Sequence, residues 1–301
     1  KYCRNIVYLL YTKKRCCAAS RALTRSCCGK LLLFFEKFLP IYNCMLLGFD
    51  FQLFVGVFFI PLLYALVIYL TAPYKSVSFK RGLVYLFAGM MSVVAVQLFY
   101  FFVPWFTSNF SFGDPFVKFF FVVGPVEELS KFLLFFFILN LTNDKRVSDH
   151  PFRHMFYLGM TGLGFAIMEN IHYASNYGEG ILFIRTFTST IAHMIFGLLC
   201  GYWVGLGVIN KKKMSNRSVF GVLTMKYPFI KRALYTFTGL LVACFYHGLY
   251  NYNLITSMYA SQVILIMILM FGLIFSRMLA IDLNNQFRNR EIKKDNPKEL
   301  S

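Results

Sequence analysis

Residues 116–141 read FVKFFFVVGPVEELSKFLLFFFILNL, a run long enough to cross a bilayer with two adjacent carboxylates and a lysine near its middle. About 20 apolar residues span the hydrocarbon core. Each charge at the centre of that core costs roughly 2.5–3.5 kcal/mol on insertion scales. Crossing a membrane does not require Glu127, Glu128 or Lys131, so those three residues demand another explanation.

The surrounding chain fixes the class. Of 301 residues, 58% are hydrophobic and 19% aromatic, and the apolar runs are far too long for the short alternating strands of an outer-membrane barrel. The expectation is an all-α, polytopic transmembrane helical bundle. Seven spans stand out, near 51–71, 83–106, 116–141, 154–174, 181–209, 232–254 and 257–280. The net charge of +18 suggests nucleic acid at first sight. Its distribution excludes that reading, because the Lys and Arg residues gather in both tails and in alternate loops around 75–81, 142–153 and 210–232. The loops around 107–115, 175–180 and 254–257 carry none. This alternation places the basic loops and the C-terminus in the cytoplasm, against anionic headgroups. Lys118 and Arg185, near outer span ends, are expected to snorkel to the interface.

The basic tail also belongs inside, which leaves one crossing unaccounted for. An eighth span over 31–49 reconciles the two; an interfacial segment kinked at Pro40 is the alternative. The expected organisation is a basic, Cys-rich tail over 1–50, a membrane-embedded core over 51–283 and a basic cytoplasmic tail over 284–301. Five of the eight cysteines fall within the first 28 residues. In a cytosolic tail they stay reduced and form no disulfide framework. No signal peptide with a cleavage site stands out.

The remaining ionisable residues within the spans are Glu169 and His172 in GLGFAIMENIHYA, His193 in TIAHMIFGLLCGYWVG and His247 in YHGLYNYN. Helical spacing pairs Glu127 with Lys131, Phe165 with Glu169, and His247 with Asn251. Gly197 and Gly201 extend a stripe from His193 that would admit a neighbouring helix or a substrate backbone. At ~1.5 Å per residue, Glu169 and His247 lie about 8–10 Å below the outer span ends, and Glu127 and His193 about 16–18 Å below them. Four helices thus carry carboxylate or imidazole to the outer half or midplane.

Such a cluster supports hydrolysis in two ways. A buried carboxylate can act as general base on water, with Asn251 donating to an oxyanion. Alternatively, Glu128, His193 and His247 could hold one divalent metal such as zinc. HExxH and G-x-S-x-G are both absent, and spacing alone does not separate metal-free from metal-assisted chemistry. His172 reads as interfacial packing beside Tyr173. His150 and His154 resemble a metal pair but fall in a basic loop, where a cation is poorly placed.

Glu127-Glu128-x-x-Lys131, Phe165-x-x-x-Glu169-Asn170, His193 with its following glycines, and His247-x-x-x-Asn251 resemble, in order, the four motifs of the PrsW family. That family belongs to the superfamily of CAAX-processing and bacteriocin-processing intramembrane proteases. The resemblance covers about 116–254. It implies a protease of the bacterial cytoplasmic membrane, open toward the outer side, that cleaves membrane-anchored proteins. The founding member makes the first, outward-side cut in an anti-sigma factor. Carried over, Glu127 and Glu128 form the catalytic pair, and Glu169, His193 and His247 complete the polar centre. Relatives elsewhere in the superfamily have histidine at the Glu169 position. The competing classes are a proton- or ion-coupled transporter or channel, which buried Glu, Lys and His also build, and an inactive binder of the same fold.

Overall fold

A computed structural model describes residues 54–72, 77–107, 114–142, 150–178, 180–209, 228–256 and 260–295. The tail over 1–50 and the eighth span over 31–49 lie outside them. The described residues are helical apart from a few at helix ends and connections, with no strand among them. In chain order the helices are α1 (Val55–Leu70), α2 (Phe79–Thr107), α3 (Gly124–Leu141, entered through Pro115–Val117 and Lys118–Val123), α4 (Pro151–Tyr177), α5 (Ile181–Phe187), α6 (Ser189–Ile209), α7 (Pro228–Thr256) and α8 (Ala260–Asp295). Segments of α2, α6 with α5, α7 and α8 are long and apolar enough to cross a membrane. Together with the shorter apolar α1, they make the chain an integral membrane helical bundle.

Proline shapes two of the entries. Val55–Phe59 and Lys118–Val123 are π-helical, and each runs into an X-Pro step, Ile60-Pro61 and Gly124-Pro125. Proline lacks the N–H that would bond four residues back. The residue before each proline bonds five back instead, Ile60 N–H to Val55 O and Gly124 N–H to Phe119 O. In α3 this adjustment comes just ahead of Glu127 and Glu128, where π-bulges frequently mark functional sites. Further upstream Asp114 caps the start, its Oδ1 accepting from Phe116 N–H at 2.8 Å with Pro115 following. At the other extreme α4 ends on Gly178, whose φ of +85° only glycine takes without strain.

Helices α4 and α6 form the centre of the bundle and are buried almost all round. α2 packs on α4, α7 and α8 pack on α6, and α3 bridges α2 and α7. Lipid tails are as apolar as the side chains, so close backbone packing has to hold such helices together. Glycines make it possible. A Cβ on Gly162 would overlap the His193 carbonyl, one on Gly197 the Leu158 carbonyl, and one on Gly201 the backbone of His154 and Met155. The Gly197–Gly201 stripe therefore receives α4, not a substrate. Gly197→Val should lower the unfolding free energy by about 3 kcal/mol, measured by thermal or denaturant unfolding in detergent. Unchanged unfolding would contradict this packing.

Three boundaries differ from expectation. The 181–209 stretch is two helices, separated at Thr188. α4 begins at Pro151, so His154 is fully buried with Phe135 6.1 Å away, and His150 packs 4.4 Å from Phe287. They are thus not in a solvated loop: the proline starts the helix three residues earlier than hydropathy suggests. Finally, α8 continues to Asp295, making much of the basic segment from 284 a helical extension. Tyr202 Oη and Gln286 Nε2 each donate to Asp282 at 2.8 Å, and Arg290 caps the Ile209 carbonyl at 3.0 Å.

Candidate active site

The polar residues of α3, α4, α6 and α7 meet in one connected network. Glu128 is its hub on α3. Its Oε1 accepts from Lys131 Nζ at 2.6 Å and from His247 Nδ1 at 2.7 Å. Lys131 Nζ also reaches His193 Nδ1 at 2.8 Å and sits 4.2 Å from the Phe165 ring centre. On the other side of the imidazole, His193 Nε2 lies 2.8 Å from Glu169 Oε2. One assignment of protons satisfies all these contacts. His247 donates from Nδ1 to Glu128, His193 donates from Nε2 to Glu169, and Lys131 donates to both Glu128 and His193 Nδ1.

Glu169 is anchored in turn. Arg185 Nη2 is 2.6 Å from Glu169 Oε2, and Ser189 Oγ donates to the same oxygen at 3.1 Å. Arg185 Nε donates to Asn170 Oδ1 at 2.9 Å, Asn170 Nδ2 donates to Thr190 Oγ1 at 2.9 Å, and the guanidinium lies 3.6 Å from the Tyr173 ring centre. Arg185 is therefore buried in an ion pair rather than snorkelling. Arg185 lies on the last turn of α5, four residues before Ser189, on the side that packs against α4 and α6. Ser189 and Thr190 were not singled out by the sequence. The readable signal was the Arg185–Ser189 spacing of four, opposite a Glu169 that lacked a cation.

Two pairings change. Lys131 takes Glu128, three residues earlier, and not Glu127, four earlier. Both spacings put side chains on one helix face, and His193 draws the ammonium to the Glu128 side. The second change follows from the first. With Glu128 committed to Lys131 and His247 Nδ1, the carboxylate that joins the two histidines is Glu127. Ligand atoms of Glu127, His193 and His247 lie within 4.8 Å of one another, and His247 Nε2 is 3.6 Å from Glu127 Oε2. That Glu127 oxygen is buried without a hydrogen-bond partner among the described residues.

Charge tells the same story. Three carboxylates, on Glu127, Glu128 and Glu169, face two cations, Lys131 and Arg185, and the unmatched carboxylate is Glu127. A buried anion without a partner is costly, and a cation beside it removes that cost. Two imidazoles and a carboxylate suit zinc, whose ligand bonds are about 2.0–2.2 Å. Carboxylates behind both histidines complete the usual outer support of such a centre. The residues thus fit a divalent metal, which would compete with Lys131 for His193 Nδ1.

The other candidates serve as walls. Phe165 covers Lys131 and meets His193 edge-on at 5.0 Å, while Phe196 stacks on His247 at 4.9 Å. Asn170 is buried behind Glu169. Asn251, one turn after His247, is half-buried and its amide has no hydrogen-bond partner among the described residues. His172 is exposed on α4 beside Tyr173, with Asn176 bonding back to its carbonyl.

A family model described as "PrsW family intramembrane metalloprotease" matches residues 80–276, from the start of α2 into α8. Among curated proteins, "Protease PrsW" of Oceanobacillus iheyensis is 26% identical over 131 residues, which is 44% of this chain and 58% of that protein. The same-named protein of Shouchella clausii is 29% identical over 171 residues, 56% of this chain and 75% of the relative. That of Halalkalibacterium halodurans is 30% identical over 125 residues, 41% and 55% respectively. The chain thus matches little more than half the length of two of these relatives. No solved structure is significantly similar to it. The matched region contains every residue of the polar network, and the chain belongs to the PrsW family of intramembrane metalloproteases.

Proposed function

We propose that the chain is an intramembrane endopeptidase that hydrolyses a peptide bond in membrane-anchored proteins. The observation carrying this reading is the unpartnered Glu127 oxygen beside His247, inside a centre whose histidines are each held by a second carboxylate. Pre-positioned groups of this kind need no rearrangement when charge develops.

The same atoms serve two assignments. Without a metal, Glu127 receives the proton of the attacking water and returns it to the departing amine, while the Asn251 amide donates to the oxyanion. With a metal, Glu127, His193 and His247 would hold it, and Glu128 and Glu169 would orient the histidines from behind. A bound divalent ion such as zinc supplies Lewis acidity to the carbonyl and acidity to water. In either case the Arg185–Ser189–Asn170 set holds Glu169, and through it His193, in place.

The substrate is a single-span protein of the anti-sigma-factor kind, in the bacterial cytoplasmic membrane. The C-terminus is cytoplasmic and the site opens outward, because Glu169 lies toward the end of α4 whose following loop carries no Lys or Arg. The test is cleavage of a panel of such substrates by the protein in liposomes, with chelator and with zinc restored afterwards. Cleavage that chelator removes and zinc returns supports the metal assignment; cleavage indifferent to chelator supports the metal-free one. A folded protein that cuts none of the panel argues against a protease, and proton or ion flux would then be measured in the same vesicles.

A further inference from the structure

A cavity lies on the far side of α6 from the polar centre. His193 faces that centre, while Ile191, two residues earlier and about 200° round the helix, lines the cavity, so α6 stands between the two. The cavity measures about 360 Å³, within the range of small-molecule sites. Its walls come from α1, α4, α6 and α8, and are apolar over nearly all their extent, including Val67, Met155, Met194 and Leu198.

Polar groups interrupt that lining at Tyr64 and Thr71, at the α1 side, and at Ser276 and Arg277, which are adjacent on α8. Arg277 is exposed at the rim, where it donates to the Thr71 carbonyl at the end of α1. No acidic side chain among the described residues pairs with it. Ser276 is buried, lines the cavity, and its hydroxyl has no hydrogen-bond partner among the described residues. The end of α1 meets the start of α2, where the Tyr69 and Phe79 rings are 5.5 Å apart and the basic residues Lys80 and Arg81 follow in sequence.

We propose that this cavity binds one acyl chain of an anionic phospholipid, with the headgroup phosphate on Arg277 and the glycerol-ester region at Ser276. Each part of the lipid then meets its complement. The phosphate finds an unmatched guanidinium, which has donors to spare after the Thr71 contact. An ester oxygen accepts from the stranded Ser276 hydroxyl, whose burial without a partner is otherwise a cost. The chain fills an apolar cavity that water would occupy poorly. An uncharged apolar ligand would leave Arg277 and Ser276 unanswered. The lipid would also bridge α1 to α8, which are joined at this rim by the Arg277–Thr71 hydrogen bond. The inference does not depend on the chain's being a protease.

The test uses the full chain in detergent, titrated with dioleoylphosphatidylglycerol or dioleoylphosphatidylcholine and followed by native mass spectrometry. A phosphatidylglycerol carrying a photoreactive group in mid-chain maps the contact in parallel. One surface cation is worth roughly a fivefold preference for an anionic lipid. The expected result is that preference in the wild type, its loss in Arg277→Gln, and photolabel on Met155, Met194 or Leu198 that Ser276→Phe removes. Equal affinity for the two lipids, a preference that survives Arg277→Gln, or label confined to the outward faces of α2 and α8 would overturn the proposal. Should either variant fail to fold, the wild-type label map and lipid preference still decide.

Discussion

Glu127→Gln should reduce cleavage of a membrane-anchored substrate by about 10²–10⁴-fold while leaving the bundle folded. The change is isosteric and removes only the charge and basicity of a carboxylate. Nothing in the fold depends on that charge: the Glu127 oxygen has no hydrogen-bond partner, and its nearest cationic candidate, His247 Nε2, is 3.6 Å away. In the proposed role as general base or as metal ligand the carboxylate cannot be replaced by an amide, so activity should collapse and thermal unfolding should not move. Glu128→Gln makes the control. Glu128 Oε1 holds both Lys131 and His247, at 2.6 and 2.7 Å. Its replacement should lower activity and stability together. Measuring cleavage rates and unfolding midpoints of both variants side by side separates chemistry from support. A Glu127→Gln protein that cuts at the wild-type rate would remove Glu127 from the reaction.

The contrast between two neighbouring glutamates shows where sequence reading stops. Charged residues in an apolar run are conspicuous because the membrane penalises them, so Glu127, Glu128, Lys131, Glu169, His193 and His247 stood out, and the structure brings them together. Their pairing was not legible. Consecutive helical residues point about 100° apart, and Lys131 can reach either glutamate; the choice depends on His193 and His247, which arrive on other helices. Arg185 was misread for a related reason. An arginine near a span end usually reaches outward for the interface, whereas Arg185 turns inward to Glu169 and Asn170, which arrive on α4. The glycine stripe of α6 was visible, but whether a helix or a substrate filled it depended on the approach of α4.

Lys131→Met tests how the centre tolerates its own charges, and should be the most destabilising single change in it. Lys131 is buried, bonded to Glu128 and His193, and lies against the face of Phe165. Methionine fills much of the same space without the charge, which strands Glu128 as a buried anion supported only by His247. Breaking a buried pair in this way costs about 3–5 kcal/mol. The double variant Lys131→Met/Glu128→Gln removes both charges and should recover most of that loss, because a neutral amide is far cheaper to bury than a carboxylate. The coupling read from the four-protein cycle should therefore exceed the few tenths of a kcal/mol expected of independent sites. Activity should behave differently. The double variant should fold yet cleave poorly, since His247 has lost its carboxylate partner and Glu128 can no longer fix the ring. Additive destabilisation would mean that Lys131 and Glu128 are not coupled as the 2.6 Å contact implies. Recovered activity alongside recovered stability would mean that the pair only packs the centre and has no part in orienting its histidine.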